Sequence, residues 1–445
     1  MATASESRVL QNLVKGAWVD SRSAESLVVP NPATGGTLAR VPLSTAAEVR
    51  EAVAAASASW PAWRDTPVID RAHILFRMRA LLEEHFEALA ASVTAENGKT
   101  LAEARGEVRR GVEVVEFACG MPSLMQGSSL ADVSRGIDTT MLRMPLGVVA
   151  GITPFNFPAM IPLWMAPIAL ATGNCFVHKP SERTPLTSNM LADLWMQAGL
   201  PAGVFSVTHG AKDVVNALLS DPEIAAVSFV GSQPVAAYVY ETAAAHSKRV
   251  QALAGAKNFV IVMPDANMSQ AADIVLSSAF GNAGERCLAS SVVVTVGDAA
   301  ETLTPLLVER ARAMRVGDGA DSATEMGPVI RSEHRARVAS AIERGLGEGA
   351  RLALDGRDDA AADAGDVAPG YFLRPSIFTE VGPEMSLARE EIFGPVLSVM
   401  AAPTLDAAIT TANRSRFGNA AVICTTSGAA GREFQMRIEA GMVGV

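Results

Sequence analysis

Cys287 stands in the run FGNAGERCLAS, residues 280–290, behind an apolar stretch at 271–280. Gly281 and Gly284 mark a tight backbone just before the thiol. Arg286 is its neighbour, and a guanidinium close to a thiol lowers the thiol pKa. Thiolate is the nucleophilic form, so the setting suits covalent catalysis. It also suits a small buried hydrophobe, and on these residues alone both readings stay open. No histidine is close in sequence, so a Cys-His protease pair is not indicated. Cys119, Cys175 and Cys424 each sit in apolar runs and read as core residues. The chain has 445 residues and only 4 cysteines, none in a CxxC pair, so a disulfide scaffold is not expected.

Three further segments could carry chemistry. Asn156, in TPFNFP (153–158), follows a predicted strand, where a parallel sheet builds its sites and an amide could donate to an oxyanion. A plain turn between prolines is the other reading. Lys179-Pro180-Ser181-Glu182 follows the next predicted strand, where an acid can accept from ribose hydroxyls, although in isolation the segment reads first as a solvated loop. Gly231-Ser232 opens a predicted helix, and a helix N-terminus receives phosphate. There is no P-loop, HExxH, GxSxG or metal-ligand cluster.

The elements that must position these residues alternate. Strands are expected at 147–152, 175–178, 204–208 and 225–230, with helices at 158–172, 186–198, 214–219 and 234–246 between and after them. A second block follows: strand 258–263, helix 269–280, strand 291–296. This rhythm predicts βα units and two parallel-sheet α/β domains. Earlier, Leu75, Met78, Leu82, Phe86, Leu89 and Val93 fall on one face of a helix over 72–93. The polar segment 120–144 reads as an arm or hairpin.

Composition points to a large folded core and not to disorder. Hydrophobic residues make up 49% and charged residues 19%, enough apolar material for a packed core. A net charge of -10 argues against a general affinity for nucleic acid or an anionic membrane. The N-terminus lacks a signal pattern, which predicts a cytoplasmic protein. Residues 145–177 carry no charge, but Pro145, Pro154, Pro158, Pro162 and Pro167 interrupt them, so no membrane span is expected.

In order, TPFNFP, KPSE (179–182), FVGS (229–232), GERC (284–287) and EEIFGP (390–395) resemble the aldehyde dehydrogenase superfamily, from LVKGAWVDS at 13–21 to the last residue. GITPFNFPAMIPLWM (151–165), VAAYVYETAAAHSKRVQALAGAKN (235–258) and FGNAGERC (280–287) resemble its methylmalonate-semialdehyde dehydrogenase branch. The resemblance implies an aldehyde dehydrogenase-like α/β fold. A Rossmann-type NAD-binding domain would take residues 1–122 and 146–254, an oligomerisation hairpin 123–145, and a catalytic domain 255–445. Cys287 matches the nucleophile and Asn156 the oxyanion donor. Lys179, Glu182 and Arg183 match the adenosine-ribose side, Ser232 the phosphate side, Thr153, Phe155 and Ala254 the nicotinamide side, and Glu391 with Phe393 the nicotinamide ribose. Arg286 and Arg110 match the branch's carboxylate-binding arginines; Arg105 and Arg109 lie close to Arg110. His178 replaces the apolar residue more usual before KPSE and reads as a satisfied core histidine.

One departure matters. Hydrolytic members have a glutamate in a segment that corresponds to Leu253-Ala254-Gly255-Ala256-Lys257, and residues 250–264 contain no acid. Water without a general base deacylates poorly. The branch therefore implies NAD as cofactor and coenzyme A as co-substrate, with methylmalonate or malonate semialdehyde giving propionyl-CoA or acetyl-CoA. The rival expectations are a hydrolytic NAD-dependent aldehyde dehydrogenase and a catalytically silent NAD-binding protein. No metal is expected. Relatives are homo-oligomers, dimers or tetramers, and continue past Val445 with a loop and a subunit-joining strand, so the sequence as given is expected to be truncated.

Overall fold

The computed structural model describes residues 8–357 and 370–445; the start of the expected cofactor domain, residues 1–7, and residues 358–369 lie outside the described residues. The chain divides into two compact units. The first holds Met1–Pro30, Gly36–Asn97 and Ala104–Leu253, and the second Asn31–Gly35, Gly98–Glu103 and Ala254–Val445.

The first unit's strands are β1 (Asn12–Val14), β2 (Ala17–Val19), β3 (Ser26–Pro30), β4 (Thr37–Pro42), β5 (Ser128–Ser134), β6 (Ile137–Met141), β7 (Val148–Ile152), β8 (Cys175–Lys179), β9 (Phe205–Val207), β10 (Ile224–Gly231) and β11 (Arg249–Ala254). Seven of them form one sheet in the order β11-β10-β7-β8-β9-β1-β2. The run β10-β7-β8-β9 is parallel, and β1 closes it antiparallel to β9. β7 and β8 are buried along their whole length, which explains why they read as continuous apolar runs. From β7 the chain moves outward through β8 and β9, then returns to place β10 on the other side of β7. Their carboxyl ends therefore flank a switch point, where open α/β sheets take ligands.

The predicted elements of the two βα blocks shift by at most two residues. The helix expected over 72–93 is two helices, Val68–Glu84 and Phe86–Asn97, separated by His85. The apolar face survives the break: Leu75, Met78, Leu82, Leu89 and Val93 are all fully buried. The segment 123–145 contains the exposed antiparallel hairpin β5–β6.

The second unit contains β12 (Phe259–Val262), β13 (Val292–Val296), β14 (Arg351–Leu354), β15 (Ser376–Thr379), β16 (Val396–Ala402), β17 (Ala420–Cys424) and β18 (Met442–Gly444), ordered β14-β15-β16-β13-β12-β17-β18. All neighbours are parallel except β14 and β15. Side chains alternate between faces with period two. Phe259, Ile261, Val292 and Val294 pack into one core, and Val260, Val262 and Val293 into the other. Among the described residues, no helix is long and apolar enough to cross a membrane.

Candidate active site

In the first unit the loop 153–159 leaves β7 and leads to the helix Met160–Ala171. Its shape is set by partners far away in sequence. Asn97 Nδ2 donates to the Phe155 carbonyl at 3.2 Å, and Thr184 Oγ1 donates to the same oxygen at 3.3 Å. The helix has no cap of its own; Glu107 Oε1 accepts from the Ala159 and Met160 amides at 2.7 and 3.1 Å. A carboxylate there also meets the positive end of the helix dipole. Asn156, 2% exposed, is buried in this loop.

Thr153 donates its amide to the Lys179 carbonyl at 3.1 Å, which brings the ends of β7 and β8 together. Its hydroxyl is 2.9 Å from Nε2 of the buried His178. Burial, with His209 and Lys179 nearby, pushes that imidazole down to about 3, so it stays neutral at any working pH. Lys179 Nζ pairs with Glu182 Oε2 at 3.0 Å, and Arg183 Nε lies 3.9 Å from Glu182 Oε1. Burial opposes the charge of Glu182, but Lys179, its own backbone amide and Arg183 hold its carboxyl below the usual range. Ser232, exposed at the end of β10, caps the helix Gln233–Ala245 without a side-chain hydrogen bond to it.

Arg110 lies exposed on the helix Leu101–Cys119. Its neighbours differ from it. Arg105 is paired with Glu87 at 2.8 Å, and Arg109 Nη2 lies 3.0 Å from Glu83. Arg110 has no ion pair among the described residues, so its charge is available to an anion.

In the second unit, Cys287 is a half-buried cysteine outside any disulfide, on the loop before β13. Three left-handed residues precede it: Asn282 (φ 51), Ala283 (φ 50) and Gly284 (φ 73). For an alanine this conformation costs roughly 1–2 kcal/mol. Glu103 Oε1 fixes the turn by accepting the Asn282 amide at 2.6 Å. A Cβ on Gly284 would sit 2.2 Å from the Gly394 carbonyl, so the Cys287 loop rests backbone to backbone on the loop that carries Glu391 and Phe393. Asn258 Nδ2 donates to the carbonyls of Cys287 (3.0 Å) and Ala289 (2.9 Å), while its Oδ1 accepts the Ala420 amide at 3.1 Å. Asn419 Nδ2 adds a second donor to the Cys287 carbonyl at 2.9 Å.

Arg286, Glu391 and Phe393 line one cavity with Ala256, Asn258 and Ala289. The Cys287 side chain is not part of that lining, although both flanks of its loop are. Glu391 accepts the Ala256 amide at 3.2 Å. Burial raises the Glu391 carboxyl above its ordinary value and pushes the buried Lys257 amine beside it down to about 8. Lys257 Nζ has no hydrogen-bond partner among the described residues. Ala254 is exposed at the end of β11.

The family model described as the aldehyde dehydrogenase family matches residues 18–445. The chain belongs to the aldehyde dehydrogenase family. Its relatives include malonate-semialdehyde dehydrogenase 2 of Geobacillus thermodenitrificans, 55% identical, with 99% of this chain and 90% of the relative covered. Another is malonate-semialdehyde dehydrogenase of Halalkalibacterium halodurans, 51% identical, with 100% of this chain and 91% of the relative covered. A methylmalonate-semialdehyde dehydrogenase structure from Oceanimonas doudoroffii superimposes with a TM-score of 0.95 at 44% identity, covering 98% of this chain and 89% of that one. A Sinorhizobium meliloti structure named for the same activity and complexed with NAD superimposes at 0.96 and 42% identity, covering 99% of this chain and 89% of that one. The expected fold is thus borne out.

Sequence reading passed over the residues that hold this aldehyde dehydrogenase's loops: Asn97, Glu103, Glu107, Asn258 and Asn419. Only Glu103 left a local signal, as the fourth residue of Thr100-Leu101-Ala102-Glu103, where its carboxylate also accepts the Thr100 amide at 2.9 Å. The others act on backbone groups far away in sequence, and no spacing rule reports that.

Proposed function

We propose that this chain is an NAD-dependent, CoA-acylating dehydrogenase that converts malonate semialdehyde to acetyl-CoA and methylmalonate semialdehyde to propionyl-CoA, with loss of carbon dioxide. The first unit would be the cofactor domain and the second the catalytic domain. The observation that carries this reading is the acid-free stretch 250–264, in a chain whose relatives at 50–55% identity are named malonate-semialdehyde dehydrogenases. The hairpin β5–β6, which exposes Leu130, Val133, Ile137 and Met141, would join copies in a homo-oligomeric cytoplasmic enzyme.

The residues at the carboxyl ends of the first sheet fit a dinucleotide. Lys179 and Glu182 offer a donor and an acceptor to ribose hydroxyls, and the helix after Ser232 has amides that no side chain caps. Glu182 would repel a 2′-phosphate, which favours NAD over NADP. Bound NAD would supply the hydride acceptor. Cys287 thiolate attacks the aldehyde carbon, and the Asn156 amide donates to the resulting oxyanion. Loss of hydride leaves a thioester on Cys287. Arg286 and Arg110 hold the substrate carboxylate, which stands β to the thioester carbonyl. Its C–C bond then breaks, carbon dioxide leaves, the electron pair enters an enolate, and the α-carbon takes a proton. The CoA thiol gives up one proton, attacks the acyl carbon and expels Cys287 as thiolate.

The test is product identification from malonate semialdehyde and NAD, with and without CoA. Acetyl-CoA and CoA-dependent turnover are expected, with NADH formation lost in Cys287→Ser. Free acid released at an undiminished rate without CoA would overturn the acylating reading.

A further inference from the structure

His334, on the helix Ser332–Gly347, is 7% exposed and carries three polar contacts. Its Nε2 lies 2.6 Å from the Phe393 carbonyl oxygen and 3.2 Å from Glu285 Oε1, and Arg337 Nη2 lies 3.0 Å from its Nδ1. A guanidinium can only donate and a carbonyl can only accept. These contacts therefore select one neutral tautomer, with the lone pair on Nδ1 and the hydrogen on Nε2.

The partners of this imidazole give it a task. Phe393 has φ 60, a left-handed backbone that a bulky residue rarely adopts. Its ring meets His334 edge-on, at 6.4 Å and 77°. Arg337 also donates to the Ile392 carbonyl at 3.3 Å, so the helix grips two successive carbonyls after Glu391. Glu285, only two residues before Cys287, joins the same ring to the nucleophile loop.

We propose that His334 is a positioning residue: its neutral imidazole fixes the Phe393 carbonyl and thereby aims Glu391 at the cofactor. This rests on the reading above only in taking NAD as the ligand of Glu391. The titratable and charged groups facing the ring are Glu285, whose carboxyl burial holds well above the usual range, and the guanidinium groups of Arg331 and Arg337. Burial first, then Arg337, pushes it down to about 4, so it neither takes up nor gives up a proton near neutral pH.

The experiment is calorimetric titration of the full chain with NAD, together with NADH formation from malonate semialdehyde at pH 6–9. His334→Leu is expected to weaken NAD on the order of ten-fold. His334→Gln keeps a donor toward Phe393 and an acceptor toward Arg337, and should stay within about three-fold of the unmodified chain. Arg337→Met alters an exposed side chain, is not expected to disturb folding, and should weaken NAD roughly three-fold by releasing the tautomer. If His334→Leu does not fold, the other two variants decide. Unchanged NAD affinity in Arg337→Met, or equal damage from Gln and Leu, overturns the proposal. So does loss of one limb of the pH profile in His334→Gln, which would make the imidazole a proton-transfer group. NAD binding by the unmodified chain without NADH formation would sink the dehydrogenase reading and leave this test standing. No NAD binding at all would sink both.

Discussion

Asn258 and Asn419 both donate to the Cys287 carbonyl, yet their removal should have different consequences. Asn258→Ala deletes three hydrogen bonds. The Cys287 carbonyl keeps Asn419, but the Ala289 carbonyl and the Ala420 amide both lose a partner. A buried backbone group stripped of its partner costs about 1–3 kcal/mol, so two of them give roughly 3 kcal/mol after some relaxation. Asn419→Ala removes one bond from a carbonyl that Asn258 still serves, which costs about 1 kcal/mol. At about 2–4 °C per kcal/mol for a domain of this size, the melting temperature should fall by roughly 9 °C and roughly 3 °C respectively. Scanning calorimetry of both variants under one set of conditions measures this. Cys287 alkylation by iodoacetamide should change in the same order, because Asn258 also ties the starts of β12, β13 and β17 together. A larger effect from Asn419→Ala would refute the argument that the two newly unpaired groups set the cost.

The remaining predictions concern charge. Arg110→Leu should reduce kcat/KM for malonate semialdehyde by about ten- to a hundred-fold, the range for a hydrogen bond to a charged group, and leave propanal nearly unaffected; equal losses would count against a carboxylate clamp. Glu391→Gln should raise the KM for NAD and leave the requirement for CoA unchanged; a switch in that requirement would give Glu391 a role in deacylation. Glu96 Oε2 and Oε1 accept the Leu186 and Thr187 amides at 2.7 and 3.0 Å, and burial raises its carboxyl from 4.5 to about 7. The folded state therefore binds this proton more tightly than the unfolded chain, and stability falls as pH rises from about 4.5 to about 7. Melting of Glu96→Gln against the unmodified chain should improve between pH 5 and pH 8 by up to roughly 3 kcal/mol; a difference that does not change with pH would show that Glu96 is already ionised.

The βα rhythm made the sheets readable, because β7, β8, β12 and β13 are buried on both faces and their apolar runs are bounded by turn residues. Ordered motifs marked the loops that hold Cys287, Asn156 and Glu391. What stayed hidden was how those loops are held. Glu107 reads as one more acid on an amphipathic helix, yet it caps a helix 52 residues later. Glu96 does the same across 90 residues. Nothing at Glu84 or Phe86 announces the break at His85, since the apolar spacing runs through it unchanged. The left-handed turn at Asn282 and Ala283 was equally silent: glycine flagged a tight backbone on either side, but alanine is the last residue expected at φ 50.

The two units use opposite ends of their parallel strands. In the first, Thr153 and Ser232 follow the carboxyl ends of β7 and β10 and Lys179 is the last residue of β8, as the switch-point rule anticipates. In the second, Asn258, Cys287, Glu391 and Asn419 all precede strands, those being β12, β13, β16 and β17. Cys287 thus sits among loops entering a sheet, its carbonyl held by side-chain amides instead of by a helix terminus. Glu391 is the one carboxylate lining the cavity there among the described residues, and it already accepts the Ala256 amide. That matters for deacylation. Water, with a pKa near 15.7, must lose a proton that a thiol of pKa near 8.5 gives up about seven units more readily, a difference of roughly 10 kcal/mol. A free glutamate beside the thioester would have to offset that gap. In the proposed acylating reaction, where the acid-free stretch 250–264 stands in its place, an incoming thiol would bridge the gap by its own acidity.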